Sequence, residues 1–275
     1  MTAESSNEGQ IFRTFWHGGP LSQYQIFCLR SFVARGHRIE VFSYEDGLAV
    51  PDWIVRKDAR EILPADRVLH YRSGFGQGSP SLHSNLFRYT MLHRLGGWWI
   101  DTDVVLFGSQ LSLDPVFFIV EDPHSGRCGT AVLKLPRQHP LLSEAIERCL
   151  AMGEAATWGQ TGPGLFTKLV NEYQLARYAS PQKTAYSIFW WDFAAFFDPD
   201  RCDEVRSCCK ESTFIHLWNE MWRQAGIPSD SAPPQGSYLD WLINYMDFDI
   251  KFRGRLQFVI TEEGPRFIKD HDPAL

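Results

Sequence analysis

The chain lacks several features that would settle its class at once. No apolar run approaches the length of a membrane span, and Met1 to Gly9 is polar and acidic where a secretory leader would be basic and then apolar. The expectation is a soluble cytoplasmic protein without a transmembrane segment, with peripheral membrane contact left open. No basic stripe is present either: net charge is −6, and the densest positive stretch, Arg56-Lys57-Asp58-Ala59-Arg60, is interrupted by an acid. Nucleic acid is therefore not expected as a partner. The six cysteines have neither the paired spacing of zinc ligands nor the density of a disulfide framework, so reduced thiols are expected. No internal repeat stands out. What is there, 44% hydrophobic and 14% aromatic residues over 275 positions, can bury one large core and excludes a disordered chain.

The N-terminal third reads as alternating strands and helices. Ile11 to Phe15 alternates like a strand and runs into the turn Trp16-His17-Gly18-Gly19-Pro20. Ser22 with Gln25 three positions on makes a capping box for a helix that stops at Gly36, and Ile39 to Phe42 gives the next strand. Strand, helix, strand at this spacing predicts a βαβ unit and a parallel sheet, whose ligands lie beyond the carboxyl ends of the strands. Trp16 and Tyr44 fall at those ends. Asp52 predicts the cap of a charged helix reaching about Leu63, and Ser79-Pro80 opens another that ends at Gly96.

The densest chemistry follows. Asn85 and Arg88 share a helix face, and Gly96-Gly97-Trp98-Trp99-Ile100 then delivers Asp101 and Asp103 at the end of an apolar strand. Residues two apart in extended chain point the same way, so both carboxylates can reach one hard cation while substrate phosphates complete its shell. Further on come strands near 116–120 and 130–135, a helix from Pro140 to Met152, and a Gly159-to-Gly164 turn leading into a helix. Phe214 to Trp222 closes a main domain of residues 11–225. Residues 1–10 read as a flexible start, and 226–275 as a linker and C-terminal helix and strand packed on the main domain.

These blocks together resemble the metal-dependent Asp-any-Asp sugar transferases, the group containing the clostridial glucosylating toxins, fungal initiating mannosyltransferases and lactosylceramide α-1,4-galactosyltransferase. Phe15 to Pro20 looks like the toxins' first strand and turn. Ser84 to Asp103 matches the family's helix, double glycine, strand and carboxylates. Trp158-Gly159-Gln160-Thr161-Gly162-Pro163 and His216-Leu217-Trp218-Asn219 resemble two blocks of the galactosyltransferase. One departure is visible: Asn85 stands where the family usually has aspartate.

The resemblance implies an α/β fold, a GT-A-like single Rossmann-like nucleotide-sugar-binding domain with a mostly parallel mixed sheet flanked by helices. It implies a metal, Mn²⁺ or Mg²⁺, on Asp103, with Asp101 and His216 completing the shell. Arg88, with Asp101 and Asp103, carries the catalysis; Trp16, Tyr44, Asn85, Arg88, Asp101, Trp218, Asn219 and Trp222 hold the donor; Gln160, Gly162 and Pro163 line the acceptor side. The expected reaction is retaining transfer of a hexose from a nucleotide-diphosphate sugar, UDP-linked first, to a hydroxyl of a glycan or glycolipid in bacterial surface polysaccharide or lipopolysaccharide synthesis. A non-catalytic nucleotide-sugar or glycan-binding module and a GDP-mannose-dependent mannosyltransferase are the alternatives. A two-carboxylate hydrolase fits poorly, because its acid and base stand well apart across a sugar. No carboxylate in the sequence can be assigned as a covalent nucleophile, and the oligomeric state is not encoded in any motif.

Overall fold

The computed structural model describes residues 9–64, 66–261 and 264–269, so most of the expected flexible start lies outside the described residues. Strand β1 (Ile11–Phe15) leads into α1 (Gln23–Val33), which opens on the predicted box: Ser22 accepts from the Gln25 amide, and the Gln25 side chain accepts from the Ser22 amide. Strand β2 (Arg38–Ser43) is buried along its length after Arg38, as a strand with elements on both faces must be. The helix predicted from Asp52 does not form. Strand β3 (Ile54–Asp58) pairs in parallel with β2, and a single 3-10 turn over Ala59–Glu61 follows, capped by Asp58. Ladder pairing along the β2 edge overrides the helical charge pattern of this stretch.

Helix α2 (Ser81–Leu95) ends at Gly96, whose φ of 65° lies in the left-handed region, and strand β4 (Gly97–Ile100) starts at once. Trp98 and Trp99 point to opposite faces and enter different core clusters, so β4 is anchored on both sides. Strand β5 (Val104–Leu106) follows the acidic connector. Strands β6 (Phe118–Asp122), β7 (Arg127–Cys128) and β8 (Val132–Leu135) precede α3 (Pro140–Met152) and α4 (Leu165–Glu172). The main sheet has the order β3-β2-β1-β4-β8, parallel except for β8. A mostly parallel sheet flanked by helices is the architecture expected of a GT-A-like domain.

Strand β9 (Ala179–Ser180), α5 (Cys202–Cys209), β10 (Phe214–His216) and α6 (Asn219–Gln224) come next. Helix α7 (Tyr238–Met246) begins on the cap Ser237, and β11 (Leu256–Thr261) and β12 (Gly264–Lys269) form an antiparallel pair. Tyr238, Leu239, Leu242 and Leu256 join one buried cluster with Tyr24 and Phe27 of α1. Residues of 238–256 thereby share a core with the first helix.

Candidate active site

The sheet itself dictates where a ligand can sit. From β1 the chain builds outward to β2 and β3, then returns to add β4 on the other side of β1, so the crevice at the carboxyl ends of β1 and β4 is the switch point of the sheet. Trp16 follows β1 and Asp101 follows β4. Both line a cavity of about 710 Å³, within the range of about 300–1,000 Å³ usual for small-molecule sites.

Antiparallel pairing of β10 with β5 sets His216 opposite Val104 and hence beside Asp103. His216 Nε2 lies 3.3 Å from Asp103 Oδ1, and Asp103 Oδ2 accepts from the Asn219 amide at 2.9 Å. That amide is aimed by Trp218, a bulky residue in left-handed backbone (φ 61°, ψ 45°), a conformation that costs energy outside glycine. The Trp218 indole is held by a hydrogen bond to the Ile188 carbonyl at 2.9 Å and by an edge contact with the His216 ring at 4.1 Å.

Asp101 is fixed differently. Its Oδ1 accepts from Arg88 Nη2 at 2.6 Å and from the Trp99 indole at 2.8 Å, which leaves Oδ2 without a hydrogen bond among the described residues. Arg88 is buried, spans Asp101, Asn85 and Thr130, and lies over the Trp99 ring at 4.9 Å. The guanidinium is thus largely committed to protein partners, with its edge in the cavity wall.

The donor set fits a divalent cation. One oxygen each of Asp101 and Asp103 and a ring nitrogen of His216 lie within 4.8 Å of one another, and two hard oxygens with one imidazole suit Mn²⁺ or Mg²⁺. Electrostatics divides the three. Burial pushes the Asp101 carboxyl up despite Arg88, and the Asp103 charge adds to the rise. Burial works upward on Asp103 too, but the His216 charge, its hydrogen bond and the Asn219 amide outweigh it and hold the carboxyl below its ordinary 3.8. For His216 burial opposes the charged form, yet Asp103 in front of it brings the balance above 6.5.

Of the residues singled out in the sequence, Trp16, Asn85, Arg88, Asp101, Asp103, Pro163, His216, Trp218, Asn219 and Trp222 line this cavity. Trp16 is part-exposed, with its indole N–H donating to the Gly19 carbonyl at 2.7 Å. Trp222 is also a core residue, packed edge-on to Tyr24 and Phe197. Three residues stand elsewhere. Tyr44 turns back, its hydroxyl joined to the Leu63 carbonyl and His83. The Gln160 side chain accepts from the Thr157 amide at the surface. Gly162 is buried behind Asn85, where a Cβ would lie 3.1 Å from Asn85 Oδ1. Asn85 in turn donates to Thr161 at 3.1 Å and accepts from Arg88 at 3.2 Å, so it ties the glycine turn to the arginine.

The cavity also recruits His17, Tyr71, Glu121, Arg127, Thr130 and Tyr186, to which the sequence reading gave no role. Glu121 on β6, Arg127 on β7 and Thr130 in the link from β7 to β8 are marked by no local motif. For Glu121 the readable signal is an acid in step with Phe117 and Ile119 on an otherwise apolar strand face.

Comparison with known proteins finds glycosyltransferases. Residues 134–239 match the alpha 1,4-glycosyltransferase conserved region. The resemblance seen in the sequence is borne out: the chain is related to the Asp-any-Asp glycosyltransferases. It is similar to lactosylceramide 4-alpha-galactosyltransferase of Mus musculus, 22% identical over 148 residues, and of Rattus norvegicus, 24% identical over the same length. Each match covers 50% of this chain and 40% of the relative, so well under half of those proteins is represented. Among solved structures, PaToxG glycosyltransferase superposes with a TM-score of 0.46 at 12% identity, covering 60% of this chain and 70% of that one. The apo WbbM bifunctional glycosyltransferase gives 0.42 at 11% identity, covering 89% and 52%.

Proposed function

We propose that the protein is a metal-dependent, retaining glycosyltransferase that moves a hexosyl group from a nucleotide-diphosphate sugar, UDP-linked first, to a hydroxyl of a glycan or glycolipid. The observation that carries this reading is the convergence of Asp101, Asp103 and His216 at the switch point of the sheet, in a cavity of about 710 Å³ that Trp16 also lines. The names of the curated relatives point to a glycolipid acceptor and an α-linked galactose. We extend the reading to assembly of bacterial surface polysaccharide or lipopolysaccharide, on a cytoplasmic protein. All six cysteines are free, and no helix among the described residues is long and apolar enough to cross a membrane.

The chemistry follows from where charge develops. As the bond from the anomeric carbon to the diphosphate oxygen breaks, negative charge grows on the phosphate and positive charge on the sugar ring. Asp101, Asp103 and His216 would hold a divalent ion, which when bound would supply Lewis-acid neutralisation of the leaving diphosphate. The protein's own part is positional. Arg88 holds Asp101 in one rotamer, the Asn219 amide and His216 hold Asp103, and Trp16 offers an indole beside the end of β1 for a base to stack on. In a same-face transfer the acceptor hydroxyl attacks the anomeric carbon and its proton passes to the departing phosphate oxygen, so no enzyme nucleophile is consumed.

A thermal-shift screen of UDP- and GDP-sugars with and without Mn²⁺ tests the reading, since a ligand selective for the native state raises its melting point. The expected result is a Mn²⁺-dependent rise with one nucleotide class and release of free nucleoside diphosphate on adding acceptor. Release of pyrophosphate, or free sugar produced equally fast without acceptor, would replace transferase with nucleotidyltransferase or hydrolase.

A further inference from the structure

One wall of the cavity holds polar groups that the transfer chemistry above leaves idle. On β6 Glu121 is in step with Ile119 and with Phe117 just before the strand, and those two pack in the core with Tyr186. Where the row reaches the cavity it ends in a carboxylate that is only 9% exposed. Burying an acid is costly unless something answers it. Arg127 Nε on the neighbouring strand comes within 3.1 Å, but it is not aligned to donate, and Glu121 accepts no hydrogen bond among the described residues.

Tyr186 supplies the second observation. Its ring is 1% exposed and lines the same cavity, and its buried hydroxyl finds no acceptor for its proton among the described residues. The space it fills exists because position 129 is glycine: a Cβ there would fall 2.1 Å from the phenolic oxygen. An acid paired with Arg127 by charge but given no hydrogen bond, and a phenol whose proton finds no acceptor among the described residues, share one cavity and ask for a ligand that accepts and donates at once.

That requirement selects the ligand chemistry. A phosphate would be repelled by Glu121, and an ammonium group would meet Arg127. Neutral hydroxyls, each a donor and an acceptor, satisfy both groups. The geometry points to a subsite, formed by Glu121 and Tyr186 with Arg127 as a positioning residue, that binds the ring hydroxyls of the hexosyl group being transferred. The inference rests on the sugar-transfer reading, and it favours the donor sugar over the acceptor because the Tyr186 ring stands edge-on to His216 at 5.6 Å, so this wall adjoins the carboxylate and imidazole cluster.

The test compares wild type, E121Q and Y186F in Mn²⁺, using UDP alone and a panel of UDP-glucose, UDP-galactose and UDP-N-acetylglucosamine. The expected result for E121Q is a donor KM raised about tenfold, and a comparable narrowing of the kcat/KM ratio between the 4-epimers glucose and galactose, with the Kd for UDP unchanged. Y186F should shift the same two readouts in the same direction, and it keeps the comparison available if E121Q is poorly folded. A change confined to acceptor KM would assign the wall to the acceptor and overturn the inference. So would a fall in kcat at unchanged donor KM, which marks a chemical role. If the wild type binds UDP and the donors but both variants discriminate as it does, only this subsite fails; if the wild type binds no nucleotide or nucleotide-sugar, the sugar-transfer reading fails first.

Discussion

Asp103 is tied to His216, to the Asn219 amide and to the cavity at once, and each tie fixes a different consequence of changing it. Asp103→Asn keeps the shape and removes the charge. Because His216 can release its proton when the acid is gone, the loss of stability stays at about 1–3 kcal/mol rather than the larger cost of a stranded buried charge. Turnover should fall by more than about a hundredfold, and the Mn²⁺-induced rise in melting point should vanish. A variant still active with added Mn²⁺ would remove Asp103 from the metal shell.

The same pair predicts a pH dependence. His216 is raised in the folded protein, so its contribution to stability is complete below its ordinary 6.5 and fades as pH rises through the higher folded value. Asp103 is lowered, so its contribution is complete above its ordinary 3.8 and fades as pH falls through the lower folded value. Without metal, the pair therefore contributes most between pH 3.8 and 6.5. A cation competes with the His216 proton, so Mn²⁺ affinity should climb with pH, by up to about tenfold per unit while one proton is displaced. Titration calorimetry in buffers of different ionisation enthalpy reads both the slope and the proton count. Flat affinity across pH 6 to about pH 8 would show that His216 is no ligand.

At the scale of elements, the site depends on how abruptly α2 gives way to β4. Gly96 turns the chain with a φ of 65°, and a Cβ there would lie 2.6 Å from the Arg137 backbone nitrogen. Gly96→Ala combines left-handed strain with a clash against backbone that has no rotamer to escape into. The expected cost is about 2–3 kcal/mol, read as a lower midpoint in urea at unchanged slope. An unaltered midpoint would mean that β4 can shift without penalty. The strand carrying Asp101 also depends on the two tryptophans before it, one for each face of the sheet, so the carboxylate pair inherits its position from apolar packing.

Across the whole molecule, the C-terminal segment behaves as part of one core. Tyr24 of the first helix donates to the Ser231 carbonyl at 2.9 Å and packs in a cluster with Tyr238, Leu239, Leu242 and Leu256. Fully burying those four side chains contributes roughly 6–12 kcal/mol at about 1.5–3 kcal/mol each, comparable with the roughly 5–15 kcal/mol of a whole domain. We infer that a chain ended at residue 225 cannot fold cooperatively. Its heat-capacity trace should show no sharp transition; a soluble fragment melting as one unit would make 226–275 an appendage.

By itself the sequence determined whatever local pattern encodes: the capping box at Ser22, the glycine stop at Gly96, the apolar strand that delivers Asp101 and Asp103, and the helix from Tyr238. Each rests on residues within a few positions of one another, where side-chain period and turn chemistry suffice. Only tertiary structure decided that 54–58 joins the sheet instead of a helix, because the partner edge of β2 lies far from the charge pattern it overrules. It also turned Tyr44 toward His83 and away from the cavity, and brought Glu121 and Tyr186 to one wall from strands and turns that share no motif. Those placements come from pairing register and long-range packing, and no local window of the chain contains them.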